Sequence, residues 1–368
     1  MTAELTFKEL GLSADILEGL LKKGFVNPTP IQAQTIPMLL NGERDIIGQA
    51  QTGTGKTAAF GLPIIERITP GLRKVQAIVL APTRELASQV AEELESLKGK
   101  RDLRILPVYG GQGMDIQLRQ LKQGVDIIVA TPGRAIDHLK RKTLKLDDVK
   151  FVVLDEADEM LNMGFVEDIE TILEHVPAER RMLLFSATMP GPIQKLAKKF
   201  MGEFDEVKVV ANQASAANVE QVFYEINEKD KLRALHRLIE TEVEFYALVF
   251  SRTRLGADRL ASKLSDLGFD VEALHGDVTQ VQRERILAKF KGGHATILVA
   301  TDVAARGIDI NNLSHVINFD LPDSPEAYVH RIGRTARAGK TGKAISFVTP
   351  AEWRKLQFIM QQIGRAHV

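Results

Sequence analysis

Short apolar runs, each stopped by a polar cluster, constrain this chain more than any other feature of its sequence. In the first half they are Val75 to Leu80, Val125 to Ala130, Phe151 to Leu154 and Met182 to Phe185. Continuous, β-branched-rich runs of this length fit strands buried on both faces. Helical-period segments such as Glu85 to Leu97 and Met114 to Leu121 lie between them, so strand and helix alternate and the sheet is expected to be mostly parallel. The second half repeats the pattern with Ala247 to Phe250, Val271 to Leu274, Thr296 to Ala300, Val316 to Phe319 and Ala344 to Val348. Ligands of open α/β sheets sit at the carboxyl ends of the strands. There the first half carries Pro82-Thr83-Arg84, Thr131-Pro132-Gly133-Arg134, Asp155-Glu156-Ala157-Asp158 and Ser186-Ala187-Thr188.

A chain of 368 residues is too long for one ordinary core. The small, polar stretch Ala211 to Ala217 lacks apolar periodicity and reads as a linker between domains spanning 1–210 and 218–368. With 44% hydrophobic and 26% charged residues, the composition excludes a disordered or fibrous chain. The 48 basic residues balance 48 acidic ones, so any nucleic-acid site must be a local patch of backbone N–H groups, helix N-termini and a few arginines. The absence of cysteine excludes disulfides, Cys-ligated zinc and thiol catalysis. No apolar run approaches the ~20 residues that span a bilayer, and Met1 to Phe7 lacks the features of a secretory signal, so a cytoplasmic protein without a membrane partner is expected.

Ala50-Gln51-Thr52-Gly53-Thr54-Gly55-Lys56-Thr57 follows the strand candidate Asp45 to Ile47 and precedes a helical stretch, the setting of a phosphate-binding loop. Its glycines let backbone N–H groups wrap phosphates, Lys56 is placed to reach the β and γ phosphates, and the Thr57 hydroxyl to ligate magnesium. The loop departs from the strict pattern in having Ala50 at the first glycine. Asp155-Glu156 supplies the acidic partner at the end of a later strand: Asp155 on the metal through water, Glu156 polarising the attacking water. A plain helix cap is the alternative use of such a pair. ATP and Mg2+ are thus the expected ligands.

The order of these motifs resembles the DEAD-box family of superfamily 2 helicases over nearly the whole chain. The resemblance implies an α/β protein of two tandem RecA-like domains, each a mostly parallel sheet flanked by helices, acting as an ATP-dependent RNA helicase. Gly24 to Gln32 resembles the family's adenine-reading motif, with Phe7 as its upstream aromatic. That likeness implies Phe25 stacking on adenine, Gln32 bonding its edge, and Pro30 beside them. Phe25 as plain core packing is the alternative. Ser186 and Thr188, with Asp158 and His330, resemble the residues that couple the ATP site to RNA opening. In the second half, Ala300 to Asp309 and His330 to Arg337 match further family motifs, with Ala336 where glycine is commonest. They imply Gly307 and Asp309 at the nucleotide, Asp309 on its ribose, and Arg334 and Arg337 as arginine fingers that reach ATP at a cleft between closed domains. Implied RNA contacts are Pro82, Thr83, Arg84, Gly110, Gly111, Thr131, Gly133 and Arg134, then Arg252, Gly276, Asp277 and Thr301. Such small and hydroxyl residues suit phosphate and sugar, predicting little RNA sequence preference; single-stranded and duplex RNA are the expected partners, and a monomer the expected state. Two rival readings share these motifs: a P-loop ATPase acting on DNA, and an ATP-dependent RNA clamp or annealing factor that separates no strands. Ile363-Gly364-Arg365-Ala366-His367-Val368 spells one frame of a common sequencing adapter, which sets the expectation that the natural chain continues.

Overall fold

The computed structural model describes residues 5–51, 53–209, 219–305, 308, 310, 313–335 and 341–363. It divides into two compact units, Met1–Ala211 and Asn212–Val368. The expected linker, 211–217, lies outside the described residues.

The first unit carries seven strands, β1 (Asp45–Gln49), β2 (Ala77–Leu80), β3 (Ile105–Val108), β4 (Ile127–Ala130), β5 (Phe151–Leu154), β6 (Arg181–Ser186) and β7 (Phe204–Lys208), in the order β3-β4-β2-β5-β6-β1-β7. Every pairing is parallel. Its helices are α1 (Ala14–Lys22), α2 (Pro30–Asn41), α3 (Lys56–Arg67), α4 (Arg84–Leu97), α5 (Met114–Lys122), α6 (Pro132–Lys140), α7 (Ala157–Asn162), α8 (Val166–Leu173) and α9 (Gly191–Phe200). Alternate strand residues feed two separate cores. Ile46, Val79, Val129, Val153 and Leu183 pack against residues of α1 to α4, such as Ile16, Ile36, Phe60 and Leu94. Ile47, Ile78, Ile128, Val152 and Leu184 pack against residues of α6 to α9, such as Ile136, Met160, Ile172 and Leu196. Helices on both faces explain why the central strands read as continuous apolar runs.

The second unit is a six-stranded parallel sheet of β8 (Val219–Glu225), β9 (Ala247–Phe250), β10 (Val271–Leu274), β11 (Ile297–Ala300), β12 (His315–Asn318) and β13 (Gly342–Val348), ordered β10-β11-β9-β12-β13-β8. Its described helices are α10 (Lys231–Thr241), α11 (Arg254–Asp266), α12 (Gln280–Lys291), α13 (Asp302–Ala305), α14 (Pro325–Ile332) and α15 (Trp353–Gln362). Val249, Val299 and Ile317 face α10 and α11, while Leu248, Leu298 and Val316 face the side of α12 and α13. Three strands were not foreseen from apolar runs: β3, β7 and β8. All three are sheet edges, where one flank is open, and β3 contains Pro107, which an edge tolerates because one side of the strand needs no ladder bond.

Candidate active site

Because all strands of the first sheet run the same way, their polar continuations emerge along one edge in an order fixed by the pairing. The ladder persists one step beyond the strands: Thr131 N–H donates to Val108 O, Ala81 N–H to Ala130 O, Asp155 N–H to Leu80 O, and Ala50 N–H to Ser186 O. Along the edge the segments therefore run Tyr109-Gly110-Gly111, Thr131 to Arg134, Ala81 to Arg84, Asp155-Glu156, Ser186 to Thr188, and Ala50 to Thr57. The last three carry the phosphate, metal and coupling candidates. The first three carry the RNA candidates.

At the nucleotide end, Gly53 and Gly55 hold φ of 78° and 87°, left-handed values that suit glycine, and Gly55 caps α3, so Lys56 and Thr57 begin a helix whose free N–H groups favour an anion. Lys56 is buried and donates from Nζ to Ala50 O at 3.2 Å, an arrangement a phosphate oxygen could replace. Thr54 Oγ1 donates to Gln51 O at 2.8 Å, closing the loop on itself. Ala50 is buried in the core beneath α2 and α3, which is why a methyl group serves at the usual first glycine. Thr52 lies outside the described residues.

Asp155 Oδ1 is buried with no hydrogen-bond partner. Burial pushes this carboxyl up to about 6 against the pull of the Lys56 charge, and the charges of Glu156 and Asp158 add to the rise. A buried, unsatisfied carboxylate oxygen within the field of other acids is the donor a hard divalent cation takes, so the residues fit magnesium. Glu156 has φ 53° and ψ 52°, a left-handed conformation rare for a residue with a Cβ. It stands at the N-cap of α7, yet its side chain makes no cap hydrogen bond, so its carboxylate is not spent on ending the helix.

Asp158 joins this pair to the strand beside it. Its Oδ2 accepts from Thr188 N at 2.8 Å and Thr188 Oγ1 at 2.9 Å, its backbone N–H donates to Ser186 Oγ at 3.2 Å, and Ser186 Oγ donates to Thr188 O at 2.6 Å. All three coupling candidates of this unit thus share one network.

The adenine candidates differ in placement. Phe25 is half-buried, with its ring centroid 6.0 Å from that of Phe7 and Lys23 Nζ 5.7 Å away. Phe7 is only 4% exposed, so it packs in the core behind Phe25 and offers no surface of its own. Pro30 is exposed at the start of α2. Gln32 is buried. Its Oε1 accepts from Thr29 N at 2.9 Å and its Nε2 donates to Gly55 O at 3.1 Å, leaving one lone pair and one N–H for a base.

Among the RNA candidates, Arg84, Gly111 and Gly133 are exposed, while Gly110, Thr131 and Arg134 are half-buried. The Arg84 guanidinium lies against Gly110, where a Cβ would meet it at 3.5 Å. Thr83 caps α4 by accepting from Leu86 N at 3.2 Å. Pro82 is buried, so it shapes this turn from within. Sequence reasoning passed over Gln117 and His138, both fully buried, which bind Arg134 and its neighbours. Their sequence signal was only a polar residue on the inner face of a helix.

In the second unit Arg252, Gly276 and Thr301 follow the adjacent strands β9, β10 and β11 and line one groove with Arg254 and Leu255. Arg252 pairs with Glu352 at 2.7 Å, and Asp277 with Arg254 at 2.6 Å. His275 Nε2 lies 2.7 Å from Asp258 Oδ1, while its Nδ1 accepts from Asp277 N at 3.3 Å, holding the loop that carries Gly276. His330 and Arg334 line a cleft with Phe250, Asp302 and Arg331. Arg334 is 9% exposed and donates to Ile308 O at 2.9 Å. Arg331, which the motif reading did not single out, is 2% exposed, grips Asp302 with two bonds of 2.6 and 2.7 Å, and also donates to Asn318 and the Asp320 carbonyl. Gly307, Asp309 and Arg337 lie outside the described residues. No described helix is long and apolar enough to cross a membrane.

Residues 29–196 match the DEAD/DEAH box helicase family, and residues 230–339 the helicase conserved C-terminal domain. The chain is 55% identical over 360 residues to the DEAD-box ATP-dependent RNA helicase CshA of Geobacillus kaustophilus, covering 98% of this chain and 77% of that protein. Against CshA of Bacillus subtilis the identity is 52% over 361 residues, covering 98% and 73%. Among solved structures, S. cerevisiae Dbp5 bound to RNA and ADP BeF3 shares 34% identity at a TM-score of 0.90, over 98% of this chain and 94% of that one. A DEAD box protein from the hyperthermophile Methanococcus jannaschii shares 50% identity at a TM-score of 0.58, over 98% of both chains. With both units matched and identity above half along the chain, this protein belongs to the DEAD-box family of ATP-dependent RNA helicases.

Proposed function

We propose that the protein hydrolyses ATP in response to RNA and uses the cycle to clamp and locally open RNA duplexes. The observation that carries this reading is the division of the first sheet edge into a phosphate-and-carboxylate half and an arginine-and-glycine half, joined at β2 and β5. The names of the relatives support it, as does the RNA bound to Dbp5 in its solved structure.

Lys56 and the loop N–H groups bind the β and γ phosphates, Phe25 and Gln32 take the base, and Glu156 draws the proton from the attacking water. A magnesium ion held by Thr57 and, through water, by Asp155 would neutralise phosphate charge when bound. Arg334 and Arg337 belong to the second unit and stabilise charge that develops on the transferred phosphoryl group. Hydrolysis therefore needs both units, and RNA that engages both, through Arg84, Thr131 and Arg134 on one and Arg252, Gly276 and Thr301 on the other, favours the productive arrangement. The Asp158, Ser186 and Thr188 network, together with His330, ties the two events. Contacts of this kind carry no base code, so RNA of any sequence serves. The setting is a cytosolic monomer.

Turnover measured without nucleic acid, with saturating RNA and with DNA tests the reading, beside single-turnover unwinding with ATP and with a non-hydrolysable analogue. RNA alone is expected to stimulate. Equal stimulation by DNA favours the DNA-acting alternative, and gripping without strand separation favours the clamp. Lys56→Ala is expected to lose ATP affinity, Glu156→Gln to bind ATP and RNA yet hydrolyse slowly, and Arg337→Ala to lose kcat at unchanged ATP affinity without RNA. Wild-type RNA-stimulated turnover in Arg337→Ala would refute the two-unit site.

A further inference from the structure

We propose that Gln117 and His138 are positioning residues for RNA binding: they lock the Gly110-Gly111-Gln112 turn, which follows β3, to Arg134 at the start of α6, which follows β4. The proposal rests on the reading of Arg134 and that turn as RNA contacts.

Gln117 is 0% exposed and its amide is saturated. Nε2 donates to Tyr109 O at 3.0 Å and Gln112 Oε1 at 2.9 Å, while Oε1 accepts from Arg134 NH1 at 3.2 Å. The orientation is forced: a backbone carbonyl can only accept and a guanidinium can only donate. His138, also 0% exposed, sets Nε2 at 3.0 Å from the same Gln117 Oε1. That oxygen only accepts, so Nε2 carries the hydrogen. The neutral ring then accepts at Nδ1 from Thr143 Oγ1, 2.9 Å away, with the single hydroxyl proton turned to the ring in place of the His138 carbonyl at 3.1 Å. Burial, seconded by the Arg134 charge, holds His138 below its ordinary value and favours this neutral tautomer. Arg134 NH1 also reaches Gln112 O at 3.4 Å, closing a ring of bonds between the turn and the guanidinium.

Two features make such a lock useful. Gly111 has φ 94°, so the turn is free to take shapes other residues would resist. An unrestrained arginine side chain carries about 2 kcal/mol of rotamer entropy, which binding must otherwise overcome. A fully satisfied buried network removes both freedoms before RNA arrives.

The test uses the full chain with Gln117→Leu, His138→Phe and the conservative His138→Gln, beside Arg134→Ala as reference. For each, the RNA concentration giving half-maximal ATPase stimulation, kcat at saturating RNA, the ATP KM without RNA, and the melting temperature are measured. Gln117→Leu and His138→Phe are expected to raise the half-saturating RNA concentration about tenfold, the worth of a hydrogen bond to a charged group. The ATP KM without RNA and kcat at saturation should not move. His138→Gln, which keeps one donor and one acceptor, should recover most of the affinity, and Gln117→Leu should add less than about twofold when Arg134 is already alanine, because it acts through that residue. Unchanged half-saturation in a folded Gln117→Leu or His138→Phe, or full additivity with Arg134→Ala, overturns the proposal. If Arg134→Ala itself leaves RNA affinity unchanged, the RNA reading of this edge falls and the proposal with it. Should Gln117→Leu not fold, the contrast between His138→Phe and His138→Gln decides alone.

Discussion

Glu156 sits in a conformation that costs stability, and the cost can be measured separately from the chemistry. At φ 53° and ψ 52° the Cβ crowds the following carbonyl, worth about 1–2 kcal/mol for an L-residue. Replacing a residue by glycine elsewhere loses roughly 0.5–1 kcal/mol through the freedom of the unfolded chain. The informative comparison is therefore Glu156→Ala against Glu156→Gly. Both lack the carboxylate, and only the alanine keeps the strained Cβ. At an ordinary site the glycine variant would be the weaker; here it is expected to be the more stable by about 0.5–1 kcal/mol.

Glu156 directly follows the buried strand β5 and its neighbour Asp155, so hydrogen exchange of the β5 amides Val152 to Leu154 reports the opening of this region. The glycine variant should exchange about two- to fivefold more slowly than the alanine variant, the ratio such a difference sets. Glu156→Gln, which keeps Cβ, shape and strain, should exchange much as the alanine variant while matching both in its loss of turnover. Exchange as fast in Glu156→Gly as in Glu156→Ala would show that the left-handed backbone is not being held against a cost. The reading of Glu156 as held in a strained left-handed conformation would then fail.

Other perturbations follow from the same geometry. A Cβ at Gly55 would stand 2.4 Å from Gln32 Nε2 on a backbone of φ 87°, so Gly55→Ala should displace the Gln32 amide and weaken ATP binding by about tenfold or more, read by nucleotide titration without RNA. Asp158→Asn leaves at least one N–H or O–H donor of the Thr188 and Glu159 group facing an amide N–H, so RNA unwinding should fall more than RNA-stimulated ATPase; equal loss of both would contradict a coupling role. His138 and His315 are both held below the ordinary value of 6.5, chiefly by burial, so the folded state keeps them neutral while the unfolded chain takes up protons below that pH. Their contribution is whole above 6.5 and is lost as pH falls towards the folded values. Asp155, raised to about 6 by burial, takes up its proton over the same range and offsets part of this loss, so the check is a difference between proteins: from about pH 7 to pH 5 the melting temperature of His138→Gln should fall less, or rise more, than that of the parent chain.

The central strands were legible because two covered faces force unbroken apolar runs, and the segments expected to hold phosphate and metal stand out because their residues are contiguous in sequence. Three of the four edge strands, β3, β7 and β8, break that rule. In β8, Val219-Glu220-Gln221-Val222-Phe223-Tyr224-Glu225 mixes apolar and polar residues because only one side pairs, and no run announces it. The buried polar nodes were hidden for a different reason. Gln117 meets His138 across 21 positions and Arg331 meets Asp302 across 29, so nothing local marks either as more than a polar residue on a helix. Arg331 stood beside Arg334 in a motif read for its exposed chemistry, yet its two bonds to Asp302 and its place 4.7 Å from the Phe250 ring make it the part that ties β9, β11 and β12 together.

Least legible was the order along the site. In sequence the segments run phosphate loop, Pro82-Thr83-Arg84, the glycine pair, Thr131 to Arg134, the acidic pair, then Ser186 to Thr188. In space the phosphate loop moves from first place to last, because β1 inserts beside β6, where Gln49 Nε2 reaches Ala187 O across 138 positions. That one insertion sets the Ala50 to Thr57 loop apart from the arginine-rich half. It also puts Ser186 to Thr188 between the Ala50 to Thr57 loop and the Asp155-Glu156 carboxylates, bonded to both sides through Ala50 and Asp158. Strand order is what supports the coupling role proposed for this tripeptide. Its residue types alone, two hydroxyls around an alanine, would suit any strand end.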